Sequence, residues 1–204
     1  MERASARIRR RSRGAIVAGV VTTAVAVGLV AAPAASAATP AVWKKYCRNQ
    51  GGVVQARTPA FGTNSPPLIT LAGPTAFCFF RSGTGLTATQ IIVDLRTLTT
   101  TKPTLAALAY LTKPQPGRFD PGANPASVYC TKLGGTDLFG GVNVSGGGWI
   151  LGRNANSAID ACTFPDGSII DSFGILYHSQ GDVRGADLTK KFRYRPPTPP
   201  HLLG

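Results

Sequence analysis

The sequence contains one short stretch twice, Tyr46-Cys47-Arg48-Asn49-Gln50-Gly51-Gly52 and Tyr129-Cys130-Thr131-Lys132-Leu133-Gly134-Gly135. A second cysteine follows each stretch, within Phe77-Cys78-Phe79-Phe80 and within Ala161-Cys162-Thr163-Phe164. Farther along, Ile92-Val93-Asp94 in the first half matches Ile169-Ile170-Asp171 in the second half. Agreement at three spaced landmarks predicts that the chain carries one small module twice.

Each copy is predicted to be a short helix followed by a small antiparallel sheet, which is an α+β fold. Asn124 is a favourable helix cap before Pro125, so a helix is expected over 126–133, with its counterpart over 40–50. The double glycine ends each helix. The β-type segments are expected at 53–56, 68–71, 76–80 and 90–95 in the first copy, and at 137–144, 149–151, 161–164 and 168–177 in the second.

The four cysteines are expected to form two disulfides, one inside each copy. Four cysteines allow three pairings, and equivalent positions in a repeat favour Cys47 with Cys78 and Cys130 with Cys162. A zinc site is the alternative, but it normally uses closely spaced Cys-x-x-Cys pairs. A small module buries little apolar surface, so a covalent crosslink is a common means of stabilising it.

The first 37 residues are typical of a secretory signal peptide. An arginine-rich start is followed by an uncharged run over 15–30, and the small residues Ala35 and Ala37 precede an expected cleavage site before Ala38. A membrane anchor is the alternative, although no positive flank follows the apolar run. Cleavage lowers the formal net charge from +13 to +8 and predicts a secreted protein in an oxidising space.

The rest of the chain is predicted to have four parts. Pro103 precedes a short apolar helix over 104–111, and a Pro/Gly-rich linker follows it. The C-terminal tail has four Lys or Arg residues and no acid, and it is expected to be extended. The expected boundaries are 1–37 for the signal peptide, 38–101 for a degenerate first module, 102–122 for the helix and linker, 123–189 for the second module and 190–204 for the tail.

The second copy resembles a known family. Residues 124–130, Gly134-Gly135, 162–168 and 171–173 together look like the DUF333 domain family, a small bacterial envelope module often labelled "putative hemolysin". The resemblance covers about 124–178, and a degenerate first copy covers about 41–98. This chain has Ile170 where members typically carry a third cysteine, and Phe173 where a tryptophan is usual. The family has no established activity, so the resemblance implies no catalytic residue.

The residues offer little support for catalysis. A triad of His178, Asp171 and a serine is conceivable, but the chain has no Gly-x-Ser-x-Gly elbow. The glycine-rich runs 140–141 and 146–148 lack the Lys-Ser/Thr of a phosphate-binding loop, so a hairpin is expected there. We therefore expect a non-enzymatic protein with no catalytic residue, no cofactor and no metal site; a secreted hydrolase is the third-ranked alternative.

The charge distribution is more informative about partners. Residues 38–122 carry a net charge of +7, residues 123–189 carry −3, and the tail adds +4. A basic first module and tail predict binding to anionic envelope polymers or lipid headgroups, without specific nucleic-acid recognition. Two alternatives remain open: the charge has no binding role, or the oppositely charged modules dock on each other. We expect a monomer of unknown specific role.

A membrane-active, hemolysin-like protein is the second-ranked function. Lysis generally requires a long amphipathic or apolar element. After residue 37, the longest such element expected is the eight-residue helix over 104–111. The sequence therefore favours binding at the cell envelope over membrane lysis.

Overall fold

The computed structural model of the chain, which describes residues 39–138 and 145–197, combines five short α-helices with a curled antiparallel sheet. The predicted α+β class is confirmed. The predicted signal peptide and the end of the tail lie outside the described residues. The elements up to residue 112 are α1 (Ala41–Asn49), β1 (Val53–Phe61), β2 (Ile69–Thr70), β3 (Thr75–Ser82), β4 (Thr89–Asp94), α2 (Leu95–Thr99) and α3 (Leu105–Thr112). Those that follow are α4 (Pro125–Lys132), β5 (Thr136–Asp137), β6 (Gly147–Leu151), β7 (Asn154–Ile159), β8 (Ala161–Thr163), β9 (Ile169–Asp171) and α5 (Ser172–Ser179).

One sheet runs through both halves of the described chain. Its strand order is β5-β8-β9-β4-β3-β1-β6-β7, and β2 pairs with β1. The expectation of a separate small sheet in each copy is therefore not confirmed. The two halves meet where β4 pairs with β9, with Val93 opposite Ile170.

The two halves use the same register around their second cysteine. In the first half, Cys78 lies between Val54 of β1 and Val93 of β4. In the second half, Cys162 lies between Asp137 of β5 and Ile170 of β9. The landmarks of the sequence repeat thus occupy equivalent positions in the sheet.

Two disulfides tie a helix to the sheet at these positions. Cys47 of α1 is bonded to Cys78 of β3, and Cys130 of α4 is bonded to Cys162 of β8, which are the expected pairs. All four cysteines are fully buried. The disulfides are consistent with an oxidising, extracellular-type environment.

The double glycine has two different roles. Gly51 and Gly134 adopt φ values of 82° and 83°, a left-handed conformation that glycine tolerates at a helix end. Gly52 and Gly135 face the disulfides, and a Cβ atom on either would lie 2.3 Å from a cysteine Sγ. The first glycine therefore ends the helix, and the second leaves room for the crosslink.

The expected strand over 168–177 is confirmed only over Ile169–Asp171, and residues 172–177 of that segment are helical. Strand β9 ends at Asp171, whose carboxylate accepts a hydrogen bond from the backbone N–H of Gly174 and caps helix α5. Asp94 caps α2 in the same way through the N–H of Thr97, so the expected strand over 90–95 ends at Asp94. An Asp that accepts a first-turn N–H favours a helix over a continued strand.

Other segments also differ from expectation. The strand expected at 137–144 is described only as β5, because residues 139–144 lie outside the described part. Strand β7, which completes a hairpin with β6, was not predicted. The tail is not simply extended: Phe192 is fully buried, and the N–H of Arg193 donates to the carbonyl of Leu98 at 3.0 Å.

The core lies on both faces of the sheet. Alternate residues of β3 and β4 point to opposite faces, so Phe80 and Val93 pack with the helices and the disulfides. Phe77 and Ile92 pack on the other face, where the ring of Trp149 from β6 meets Phe77 at a centroid distance of 5.0 Å. The curled sheet therefore covers its second face with its own hairpin.

Candidate functional site

Helix α1 presents a basic and partly apolar surface to solvent. Lys45 and Arg48 are exposed, and Val42 retains 61% of its accessible surface. The chain contains no acidic residue between Ala38 and Val93, so α1 and strands β1 to β3 supply no neutralising carboxylate. The buried disulfide at Cys47 fixes which side of α1 faces outward.

The C-terminal segment packs against this helix. The hydroxyl of Tyr46 donates to the carbonyl of Lys191 at 3.0 Å, and the Nζ of Lys191 donates to the carbonyl of Gln50 at 2.7 Å. The same ammonium lies 5.1 Å from the ring centroid of Phe80. These contacts occupy Lys191 and hold the exposed Arg193 beside α1.

A cavity of about 280 Å³ lies between the two segments. We call it the basic groove, and its lining residues are Val42, Trp43, Lys45, Tyr46, Asn49, Thr99 and Arg193. Its walls combine two aromatic rings with two cationic side chains, and no carboxylate lines it. Cations beside aromatic rings form a surface that attracts anionic groups and packs against the apolar parts of a ligand.

His178 does not form the conceivable triad. The side chain is buried and stacks on Tyr110 with a ring-centroid distance of 3.7 Å. Neither imidazole nitrogen has a hydrogen-bond partner among the described residues. Burial, reinforced by the positive charge of Lys113, lowers the pKa of His178 to about 4, so the imidazole is neutral at pH 7.

Three aspartates lie near the junction of β8, β9 and α5. Burial raises the pKa of Asp171 to about 7, although the N–H groups of Gly174 and Ile92 and the charge of Arg184 act against this rise. Burial and the charge of Asp137 raise the pKa of Asp160 to about 6. Asp171 already caps α5, so its carboxylate has a clear structural role.

The other two aspartates also have structural partners. The carboxylate of Asp137 accepts a hydrogen bond from the hydroxyl of Ser172, and Asp160 accepts one from the side-chain amide of Asn124 at 3.4 Å. Across residues 39–138 and 145–197, no group of three or more His, Cys, Asp or Glu residues is arranged to hold a metal ion.

The glycine run 146–148 has a packing role. Gly147 begins β6, and a Cβ atom on it would lie 2.4 Å from the carbonyl oxygen of Leu138. Close approach of two backbones explains this glycine without a phosphate ligand. The run 140–141 lies outside the described residues.

A comparison of the chain with protein-family models, curated proteins and solved structures finds no significant match. The resemblance to the DUF333 family therefore stays a prediction from the residues. None of the helices in the described ranges has the length and hydropathy needed to cross a bilayer.

The sequence indicates where the basic charge lies but does not indicate the groove. The first module and the tail were identified as basic, yet Lys45 and Arg193 are far apart in sequence and the tail was expected to be extended. The available signal was Phe192, an aromatic residue between basic residues, which is fully buried and anchors the segment.

Proposed function

We propose that the protein is an exported, non-enzymatic binding protein of the cell envelope, which holds anionic polymer or lipid headgroups in the basic groove. The observation that carries this proposal is the convergence of Lys45 and Arg193 on one cavity with Trp43 and Tyr46. Anionic polymers and lipid headgroups both present phosphate or carboxylate groups, which Lys and Arg bind through charge-assisted hydrogen bonds.

The lining of the basic groove supports this proposal, because none of its residues is acidic. A neighbouring cavity that shares Trp43 does contain Asp94, but this buried carboxylate accepts hydrogen bonds from the N–H groups of Thr97 and Ile169 and lies close to the charge of Arg96. Neither the chain from Ala38 to Val93 nor the chain after Asp187 contains an Asp or Glu. Asp187 itself accepts a hydrogen bond from the N–H of Thr189, outside the groove lining. Positive charge without internal compensation attracts an anionic ligand, and this attraction weakens as salt rises.

We also propose that the fold arose from two copies of one DUF333-like module, exported through the signal peptide over 1–37 and acting as a monomer. Two observations support the duplication. The disulfides join equivalent elements, and each copy carries an aspartate cap directly after its last shared strand, Asp94 in one and Asp171 in the other. The sheet joins the copies at Val93 and Ile170, which are equivalent positions.

The test is binding to isolated bacterial cell walls and, separately, to vesicles that contain phosphatidylglycerol. The variant Lys45→Glu with Arg193→Glu reverses two charges in the groove. Arg118→Glu with Arg153→Glu makes the same change in net charge at exposed positions outside it. We expect the groove variant to lose at least tenfold in affinity for one of the two targets while the control keeps it. Equal loss in both variants would show that net charge alone determines binding and would refute a groove site.

A further inference from the structure

A second cleft lies where the β3–β4 hairpin meets the loop that follows α5. It is a cavity of about 330 Å³ lined by Arg81, Ala88, Thr89, Gln90 and Arg184. None of these residues lines the basic groove. The cleft therefore brings two guanidinium groups and a side-chain amide together at a separate place on the sheet.

Arg184 is held in position by its neighbours. Its guanidinium carbon lies 4.9 Å from the ring centroid of Tyr177. The next residue, Gly185, donates its N–H to the hydroxyl of Thr89 at 2.9 Å. Gly185 has φ 64°, and a Cβ atom there would lie 2.5 Å from the carbonyl oxygen of Phe80. The loop is therefore fastened closely to the hairpin, which reduces the entropy that Arg184 would lose when it binds a ligand.

Arg81 faces the cleft from the hairpin. It pairs with Gln90 in the β3–β4 register, and the hydroxyls of Ser82 and Thr89 are joined by a hydrogen bond of 2.8 Å just beyond that pair. In the part of the chain that the structure describes, neither Arg81 nor Arg184 donates a side-chain hydrogen bond to the protein. The Nε of Arg184 is buried without a hydrogen-bond partner among the described residues, so it is available to a ligand.

A smaller cavity of about 170 Å³ adjoins the cleft and shares Gln90 and Arg184 with it. Asp160, Asp171 and the ring of Phe173 also line this cavity. Carboxylates accept hydrogen bonds from hydroxyl groups, and a side-chain amide can either accept or donate them. An aromatic ring packs against the C–H face of a polyol. The cleft and the smaller cavity together form one site, which is suited to an anion at the end with the arginines and to hydroxyl groups at the other end.

We propose that Arg81 and Arg184 together bind one phosphate or carboxylate group of a small polyhydroxylated ligand, whose hydroxyl groups enter the cavity beside Asp160. The planar guanidinium group presents two parallel N–H donors, which bind two oxygens of a carboxylate or phosphate better than the ammonium group of lysine does. The volumes suit a ligand of the size of a polyol phosphate. This site is independent of the basic groove, and its failure would leave the proposed function intact.

The test is titration calorimetry of the oxidised protein with glycerol 3-phosphate, inorganic phosphate and glycerol. We expect glycerol 3-phosphate to bind more tightly than phosphate, and glycerol alone to show no binding. Because each arginine supplies charge-assisted hydrogen bonds to the anion, Arg81→Ala and Arg184→Ala should each weaken binding at least tenfold. Arg153→Ala, at an exposed turn, is the matched control and should bind normally.

Folding and ligand source need separate readouts. Arg81 is exposed, so Arg81→Ala should keep the near-ultraviolet circular dichroism of the parent protein, and Arg184→Lys retains the charge at the second position. Vesicles with phosphatidylglycerol that bind in an Arg81-dependent manner would also support the site and identify a lipid headgroup as the source. The proposal is overturned if neither the soluble phosphates nor the vesicles bind, or if binding is unchanged in both Arg81→Ala and Arg184→Ala.

Discussion

Substitution of Gly52 by alanine tests why both copies need a double glycine. The new Cβ atom would lie 2.3 Å from the Sγ of Cys78, 2.9 Å from a ring carbon of Phe80 and 3.0 Å from the Sγ of Cys47. Ordinary contacts of this kind are about 3.5–4 Å, so the nearest sulfur would have to move by more than 1 Å. The sulfur is held in a disulfide that joins α1 to β3, and it has little freedom to move.

The loss of stability expected for Gly52→Ala can be compared with that expected for the preceding glycine, Gly51. Overpacking of a filled core costs about 1–3 kcal/mol. Because a crosslinked sulfur would have to move so far, we expect Gly52→Ala to lower the free energy of unfolding by about 3 kcal/mol. Gly51→Ala meets no atom within 4 Å, but it puts alanine at φ 82°. The left-handed conformation costs about 1–2 kcal/mol, which the reduced entropy of the unfolded chain offsets by about 0.4–1 kcal/mol.

The assay is urea unfolding of the oxidised variants at 25 °C, with the free energy of unfolding taken from the midpoint and slope. Gly135→Ala is the matched variant in the second copy, where a Cβ atom would also lie 2.3 Å from a sulfur, that of Cys162. We expect Gly52→Ala and Gly135→Ala to lose similar stability and each to lose more than Gly51→Ala. A larger loss for Gly51→Ala than for Gly52→Ala would refute the steric explanation.

Two further predictions concern stability. Replacement of both Cys130 and Cys162 by alanine opens a loop with a sequence separation of 32. On the chain-entropy estimate, this should lower the free energy of unfolding by about 4 kcal/mol. Urea unfolding measures the loss, and a loss below about 1 kcal/mol would contradict the prediction. Burial lowers the folded-state pKa of His178 to about 4, so on acidification the unfolded chain binds a proton at this histidine before the folded chain does. The free energy of unfolding due to this group should therefore fall as pH drops from about 6.5 towards 4. His178→Phe keeps the stack on Tyr110 and should flatten that part of the pH profile, measured by urea unfolding between pH 4.5 and 7.5; an unchanged profile would contradict the assignment.

The acidic side of this pH profile also depends on Asp171. Burial raises its pKa to about 7 in the folded state, so the folded chain holds a proton that the unfolded chain releases at much lower pH. The sign is therefore opposite to that of His178: stability due to Asp171 decreases as pH rises from about 4 to 7. In the parent protein, the pH effects of His178 and Asp171 on stability partly offset each other. The pH profile of His178→Phe is therefore more informative than the profile of the parent protein alone.

The sequence repeat predicted the disulfides because each cysteine stands beside landmarks that recur. Helix α4 was also predictable, since Asn124 and Pro125 are strong start signals and the Oδ1 of Asn124 accepts hydrogen bonds from the N–H groups of Ala126 and Ser127. Helix α5 was not predicted, because a short apolar run is compatible with a buried strand or a helix and only the cap at Asp171 distinguishes them.

The joining of the two copies into one sheet could not be derived from the repeat. Equivalent strands β4 and β9 pair with each other, and this contact depends on the tertiary arrangement rather than on a local signal. The basic groove is a similar case, because Lys45 and Arg193 meet only after the buried Phe192 anchors the C-terminal segment. Local patterns identified the elements and the charge, and long-range packing determined where they meet.

The most direct test of the central claim measures how affinity for a linear poly(glycerol phosphate) depends on salt. Neutralised phosphates release counterions, so the logarithm of affinity should fall with the logarithm of salt concentration by about 0.7 for each cation engaged on a flexible chain. With Lys45 and Arg193 of the groove engaged, the account predicts a slope of about −1.4, and Lys45→Ala with Arg193→Ala should bring the slope close to zero. A slope that stays at its parent value in this variant would contradict the claim that the groove between α1 and the C-terminal segment holds the anionic ligand.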